Sequence, residues 1–152
     1  MLQGWTFFLI GIIAGSQIVA LVIARPIIGR LSDKMGRTKP IITGIIASCF
    51  LILAFPFTTQ FPLLLLLAVG YGISFATVLS STSPLVCDLV PASLVGASMG
   101  FLSTTMDIGQ TLGPIISGII FATSLRYLAL FVSLSFLLII SSIIFILSKK
   151  KR

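Results

Sequence analysis

Long apolar stretches, broken by short polar punctuation, dominate the pattern along this chain. Residues 1–24 carry no charge, and neither do residues 40–87, 89–106, 108–125 or 127–148. A helix needs about 20 mostly apolar residues to cross a bilayer. The run 40–87 is too long for one crossing. It divides at Phe55-Pro56-Phe57-Thr58-Thr59-Gln60-Phe61-Pro62, where two prolines bracket polar residues. The runs on either side of Asp107 join into one helix. The pattern therefore predicts five spans, at 5–28, 41–57, 62–83, 93–122 and 127–148, in a single transmembrane domain. The fold class it predicts is an all-α, polytopic membrane helical bundle.

Composition agrees with the pattern. Of 152 residues, 57% are hydrophobic and 9% charged, and the mean hydropathy is +1.23. Soluble domains carry about 25% charged residues, so most of this surface has to face lipid. A cleavable leader does not fit the first apolar run, which lacks a basic start and precedes four more spans. Cys49 falls inside a predicted span and Cys87 near a helix end, a placement that suggests neither a disulfide nor a metal site. With no histidine and no nucleophile beside a base, the sequence predicts no enzyme and no cofactor.

The net charge of +7 would suggest nucleic acid if it were spread over a surface, but it is sorted by side. Alternating spans put Arg25, Arg30, Lys34, Arg37, Lys39 and the tail Lys149-Lys150-Lys151-Arg152 on one face of the membrane, nine basic residues in all. Arg126 alone falls on the other. Basic loops mark the cytoplasmic side, so the N-terminus is expected outside and the C-terminus inside, in the plasma membrane. The expected partner of the charge is anionic lipid, not nucleic acid.

Candidate chemistry concentrates in two places. The first is the connection Gly29-Arg30-Leu31-Ser32-Asp33-Lys34-Met35-Gly36-Arg37-Thr38-Lys39-Pro40, which reads as a tight turn between two spans. Gly29 and Gly36 permit close approach, and Pro40 suits the first turn of a helix. Asp33, a lone acid among the five basic residues Arg25, Arg30, Lys34, Arg37 and Lys39, is placed to sit at a helix N-terminus or to pair with an arginine. The second is the fourth span. At about 100° per residue, Gly96, Gly100, Ser103, Asp107, Gln110, Thr111 and Gly118 share one face. Gly109 and Gly113 fall on another, at helix-packing spacing. Asp107 lies about 12 residues into that helix, roughly 18 Å. A carboxyl at such depth is costly and usually faces a cavity or pathway, where it can take up and release a proton. A packing role, bonded to neighbouring helices, is the alternative. Pro114 leaves the Gln110 carbonyl without its helical donor and predicts a kink. Ser74, Thr77 and Ser81 share a side of the third span, with Tyr71 near its outer end. Gln17 sits in the first span beside Gly11 and Gly15. The second and fifth spans read as peripheral.

The first connection resembles the signature loop of the major facilitator superfamily, Gly-x-Leu-x-Asp-Arg/Lys-x-Gly-Arg-Arg/Lys. Gly29, Leu31, Asp33, Lys34, Gly36 and Arg37 match. Thr38 departs, and the expected basic residue comes one place later at Lys39. The resemblance implies a conformational lock. Asp33 would face a helix N-terminus in the partner half, and Arg37 would pair with Asp88, unless Asp88 caps the fourth helix ahead of Pro91. Residues 109–118 resemble a second family pattern, Gly-x-x-x-Gly-Pro-x-x-Gly-Gly, with Ser117 in place of a glycine, which is associated with drug/proton antiporters.

Members of this family have two six-helix halves, so five spans imply helices two to six or eight to twelve. Gly70-Tyr71-Gly72 lacks the upstream arginine expected of the first half, and a basic tail follows the last span. Both favour helices eight to twelve, with the N-terminal half missing. The resemblance implies a secondary transporter, proton- or ion-coupled, that moves a small solute and is a candidate exporter of drug-like compounds. Gln17, Tyr71, Ser103, Asp107 and Gln110 are the residues expected on the coupling or substrate pathway. A sugar or metabolite permease is the alternative, and a non-transporting subunit or truncated relic is another.

Overall fold

The computed structural model describes residues 7–121 and 126–150, and all of its regular structure is helical. Helix α1 is Phe7–Met35, α2 is Thr38–Ala54, α3 is Phe61–Leu89, α4 is Val95–Phe121 and α5 is Arg126–Lys150. A short 3-10 turn, Phe55–Phe57, leads out of α2, and another, Ala92–Leu94, leads into α4. The predicted boundaries at Trp5 and Ala122, and the tail residues Lys151 and Arg152, lie outside the described residues.

Among the described residues four stretches are long and apolar enough to cross a membrane: Phe7–Met35, Thr38–Phe57, Phe61–Leu89 and Leu130–Ser148. Helix α4 has 27 residues, about 40 Å of helix, and its polar stripe keeps it out of that set. It completes the all-α bundle that the pattern predicts.

Two helices run further than the uncharged stretches suggest. Helix α1 continues through Pro26 and Gly29 to Met35, and α3 continues through Pro84 to Leu89. Arg30, Leu31, Lys34 and Met35 are good helix formers, and they carry α1 past the apolar run. The connection expected to begin at Gly29 therefore shrinks to the turn at Gly36, whose φ of +83° is left-handed. Gly29 is an ordinary helical residue, and a Cβ there would meet nothing within 4 Å. A left-handed glycine just past a helix is a common C-terminal stop.

Helix α1 packs along α3, α3 also packs on α2, and α2 packs on α5, while α4 leans on the edges of α3 and α5. The second span is thus central, not peripheral: Ile41, Gly44, Ile45, Ser48 and Ile52 of α2 are buried. Its nearly uniform apolarity hid the packed face, although Gly44 and Ser48 stand at small-residue spacing. A Cβ on Gly44 would come 2.9 Å from Val78 Cγ2 and 3.0 Å from the Ser74 carbonyl oxygen.

Helices α1 and α3 are in register. The Ser80 hydroxyl donates to the Arg25 carbonyl at 3.4 Å, and eight residues earlier on each helix Gly72 packs on the Gln17 carbonyl. At the end of the bundle away from Gly36, the rings of Phe55 and Phe131 stack at 5.9 Å. In mid-bundle the Cys49 thiol donates to the Ser135 carbonyl at 3.6 Å. Together these contacts tie α2 to α5.

Candidate functional site

The charged end of the bundle is built on three elements. Met35 ends α1, Gly36 turns the chain, and Arg37 immediately precedes α2. Asp88 lies in the last turn of α3, which the α1–α3 register brings to the same level. Arg37 Nη1 stands 2.7 Å from Asp88 Oδ2, and Arg37 Nη2 stands 3.5 Å from Asp33 Oδ1. One guanidinium therefore engages both carboxylates of this end. Short, charge-assisted contacts are the stronger ones, so the bond to Asp88 outweighs the longer contact within the chain segment.

The Arg37 side chain is 26% exposed, against 56% for Asp88 and 63% for Asp33. The clasp sits at the rim of the bundle rather than in its core. Asp88 does not cap the fourth helix: the residue that starts the 3-10 turn before α4 is Pro91, and no side chain bonds that turn's free N–H groups. Asp33 keeps an exposed face beyond its contact with Arg37. Ser32, a variable position of the loop pattern, and Ser81 are fully buried, and among the described residues neither hydroxyl has a hydrogen-bond partner. No sequence signal marks Ser32. Ser81 falls on the α3 side already noted for Ser74 and Thr77.

The second set of residues lies along α4. Ser103, Asp107, Gln110 and Thr111 are all exposed. The Thr111 hydroxyl donates to the Asp107 backbone carbonyl at 2.9 Å. Among the described residues no donor or cation reaches the Asp107 carboxylate. Gly109 and Gly113 are open as well, since a Cβ on either would meet nothing within 4 Å. They do not mediate packing inside this bundle, and Gly11 and Gly15 are equally open. The close helix contacts fall instead at Gly44 and Gly72, the latter in the Gly70-Tyr71-Gly72 segment. The helix runs through Pro114 without a break.

The remaining candidates do not join Asp107. Tyr71 stacks on Phe75 of its own helix at 6.1 Å, and Gln17 is half-buried where α1 meets Gly72. An apolar groove of about 560 Å³ opens where α3 passes to α4, lined by residues such as Leu89, Leu94, Phe101 and Leu102. It does not include Asp107. Most hydroxyls bond their own helix backbone, as Ser74 does to the Gly70 carbonyl and Thr77 to that of Ile73.

Comparison with known proteins agrees with the loop pattern. The model of a family described as the Major Facilitator Superfamily matches residues 2–152. The chain is 29% identical over 143 residues to the class H tetracycline resistance protein of Pasteurella multocida, covering 93% of this chain and 36% of that protein. It is 29% identical over 143 residues to the quinolone resistance protein NorA of Staphylococcus aureus, covering 93% of this chain and 37% of that protein. It is 32% identical over 114 residues to an uncharacterized MFS-type transporter of Schizosaccharomyces pombe, covering 74% of this chain and 25% of that protein. The chain thus spans between a quarter and somewhat over a third of the length of these relatives.

Proposed function

This chain belongs to the major facilitator superfamily, and on that footing we propose that it supplies helices eight to twelve of a proton-coupled secondary transporter that exports a drug-like solute. In this reading α1 to α5 are those five helices, and the Gly36 end lies in the cytoplasm. The absence of an arginine upstream of Gly70-Tyr71-Gly72 supports the assignment to the second half.

One observation carries the reading. Asp107 lies 12 residues into a 27-residue helix, on a stripe with Ser103 and Gln110, and this chain leaves its carboxylate uncovered. A carboxylate facing hydrocarbon at that depth costs about 2.5–3.5 kcal/mol on insertion scales. A water-filled pathway between two halves removes that cost and gives solute and protons access to the same stripe. Asp107 takes a proton from the side of higher proton activity and releases it on the other, while the halves rock about the pathway.

The Arg37 clasp supports alternating access at the cytoplasmic rim. It ties the α1–α2 turn to the end of α3 and leaves one face of Asp33 free for a helix N-terminus in the other half. The relatives' names concern resistance to tetracycline and to quinolones, two chemically unlike compounds. Together with the pattern at residues 109–118, they support a drug-like solute.

The test is transport by the full-length protein in proteoliposomes, with a fluorescent drug-like dye and an imposed pH gradient. Dye movement that follows the gradient and stops when a protonophore collapses it is the expected result. Movement indifferent to the gradient would refute the coupling, and absence of movement across a panel of such dyes would refute the solute class.

A further inference from the structure

Only three acidic residues occur in the chain. Arg37 engages two of them, and the third, Asp107, lies on α4. Among the described residues no carboxylate stands within ion-pair distance of the other cations of the Gly36 end. Two of these, Arg30 and Lys34, are exposed and stand one turn apart on α1, about 5–6 Å between Cβ atoms. At about 100° per residue they continue a stripe formed by Val19, Ile23 and Ile27, all within an arc of about 80°. Those three apolar residues are 56%, 60% and 64% exposed. The stripe points away from the side of α1 that carries buried Ala24 and Ser32.

We propose that this stripe is a binding site for one anionic phospholipid, with the phosphate between Arg30 and Lys34 and the acyl chains along Ile27, Ile23 and Val19. The proposal takes from the preceding section only that the chain spans a bilayer. The dimensions fit. Eleven residues separate Val19 from Arg30, about 16 Å of helix, close to half of a hydrocarbon core about 30 Å thick. The charge selects the headgroup. A zwitterionic headgroup would bring a cation next to Arg30 and Lys34, whereas an anionic one neutralises them. An apolar protein helix laid on the same stripe would desolvate both cations and pair neither, at a cost that lipid avoids.

The test is titration of the purified full-length protein with phosphatidylglycerol and with phosphatidylcholine, read by native mass spectrometry as the affinity of the first lipid bound. A cation near an anionic surface is worth about fivefold in affinity, so R30Q/K34Q should weaken phosphatidylglycerol binding roughly thirtyfold and leave phosphatidylcholine binding unchanged. The charge-preserving swap R30K/K34R should retain the preference, and so should Lys39→Gln, whose cation is on α2. The proposal is overturned by equal affinity of the wild-type protein for the two lipids. It is overturned equally by retained phosphatidylglycerol binding in R30Q/K34Q, or by loss of binding in the swap as well, since either separates binding from charge. A cysteine placed at Ile27 that cross-links to another protein segment, and not to a photoreactive phosphatidylglycerol, would assign the stripe to protein and overturn the site.

Discussion

Arg37, at the start of α2, and Asp88, in the last turn of α3, meet at 2.7 Å across residues far apart in the sequence. The same guanidinium also contacts Asp33 at 3.5 Å, so the pair is the stronger arm of a three-residue clasp. Both partners are partly exposed, which limits the net stabilisation to about 1 kcal/mol or less. A clasp that weak can open and close in the proposed transport cycle.

That relationship makes a coupled prediction. Arg37→Ala and Asp88→Ala should each slow transport by the full-length protein. The double variant should lose less than the sum of the two losses in activation free energy, by roughly 0.5–1 kcal/mol. Strict additivity in this double-mutant cycle would mean that the two residues act separately.

Gly36 and Gly29 should respond to alanine with opposite signs. Gly36 has a φ of +83° and open space around it, so alanine meets only backbone strain there, about 1 kcal/mol. Gly29 is helical and unobstructed, so alanine should be neutral or stabilise by up to about 1 kcal/mol. Thermal unfolding in detergent measures both. A lowered midpoint for Gly29→Ala would return the start of the turn to that residue.

Gly72 lies against the Gln17 backbone carbonyl, too close for any Cβ. Backbone yields less readily than a side chain, so Gly72→Ala should push α1 off α3 and cost about 1–3 kcal/mol. Gly70→Ala meets only the side chain of Leu51, at 3.3 Å, and should be milder. Gly11→Ala, helical and unobstructed like Gly29→Ala, should be neutral or slightly stabilising. Detergent stability of the three variants checks the order, and equal losses would contradict the α1–α3 contact.

The number and type of helices were legible because lipid leaves so little freedom: uncharged runs of sufficient length become helices. The Arg37–Asp88 pairing was legible through the resemblance to the family's signature loop, which implies an acid at that end, and Asp88 is the acid placed there. Helix ends were not, since α1 continues through Arg30–Met35 beyond its uncharged run, and α3 continues past the predicted end at Ser83 through Pro84 to Leu89. Nor was the packing order. In a chain apolar on every face, the side that meets protein differs from the side that meets lipid by little more than small residues. Gly44 and Gly72 carry that signal, while Gly11, Gly15, Gly109 and Gly113 show the same spacing with nothing against them.

Orientation rests on the sorting of charge, nine basic residues against one. With Cys49 and Cys87 replaced, cysteines introduced at Thr59 and at Lys150 should label from opposite sides of intact cells. The position at Thr59 should be reached from outside and that at Lys150 only after permeabilisation. Labelling of both from outside would contradict the five-span arrangement, and labelling of Lys150 alone from outside would reverse the assignment of the Gly36 end to the cytoplasm.

Gradient-driven transport by Asp107→Asn, in full-length protein reconstituted into liposomes, tests the coupling claim most directly. Asparagine keeps the size of the side chain and much of its hydrogen bonding but cannot titrate. If Asp107 carries the proton, the variant should insert and bind solute like the wild-type protein. Its gradient-driven transport should fall at least about tenfold, a loss of about 1.4 kcal/mol in coupling, and the pH dependence of transport should flatten. Transport by Asp107→Asn with the rate and pH profile of the wild-type protein would contradict the account.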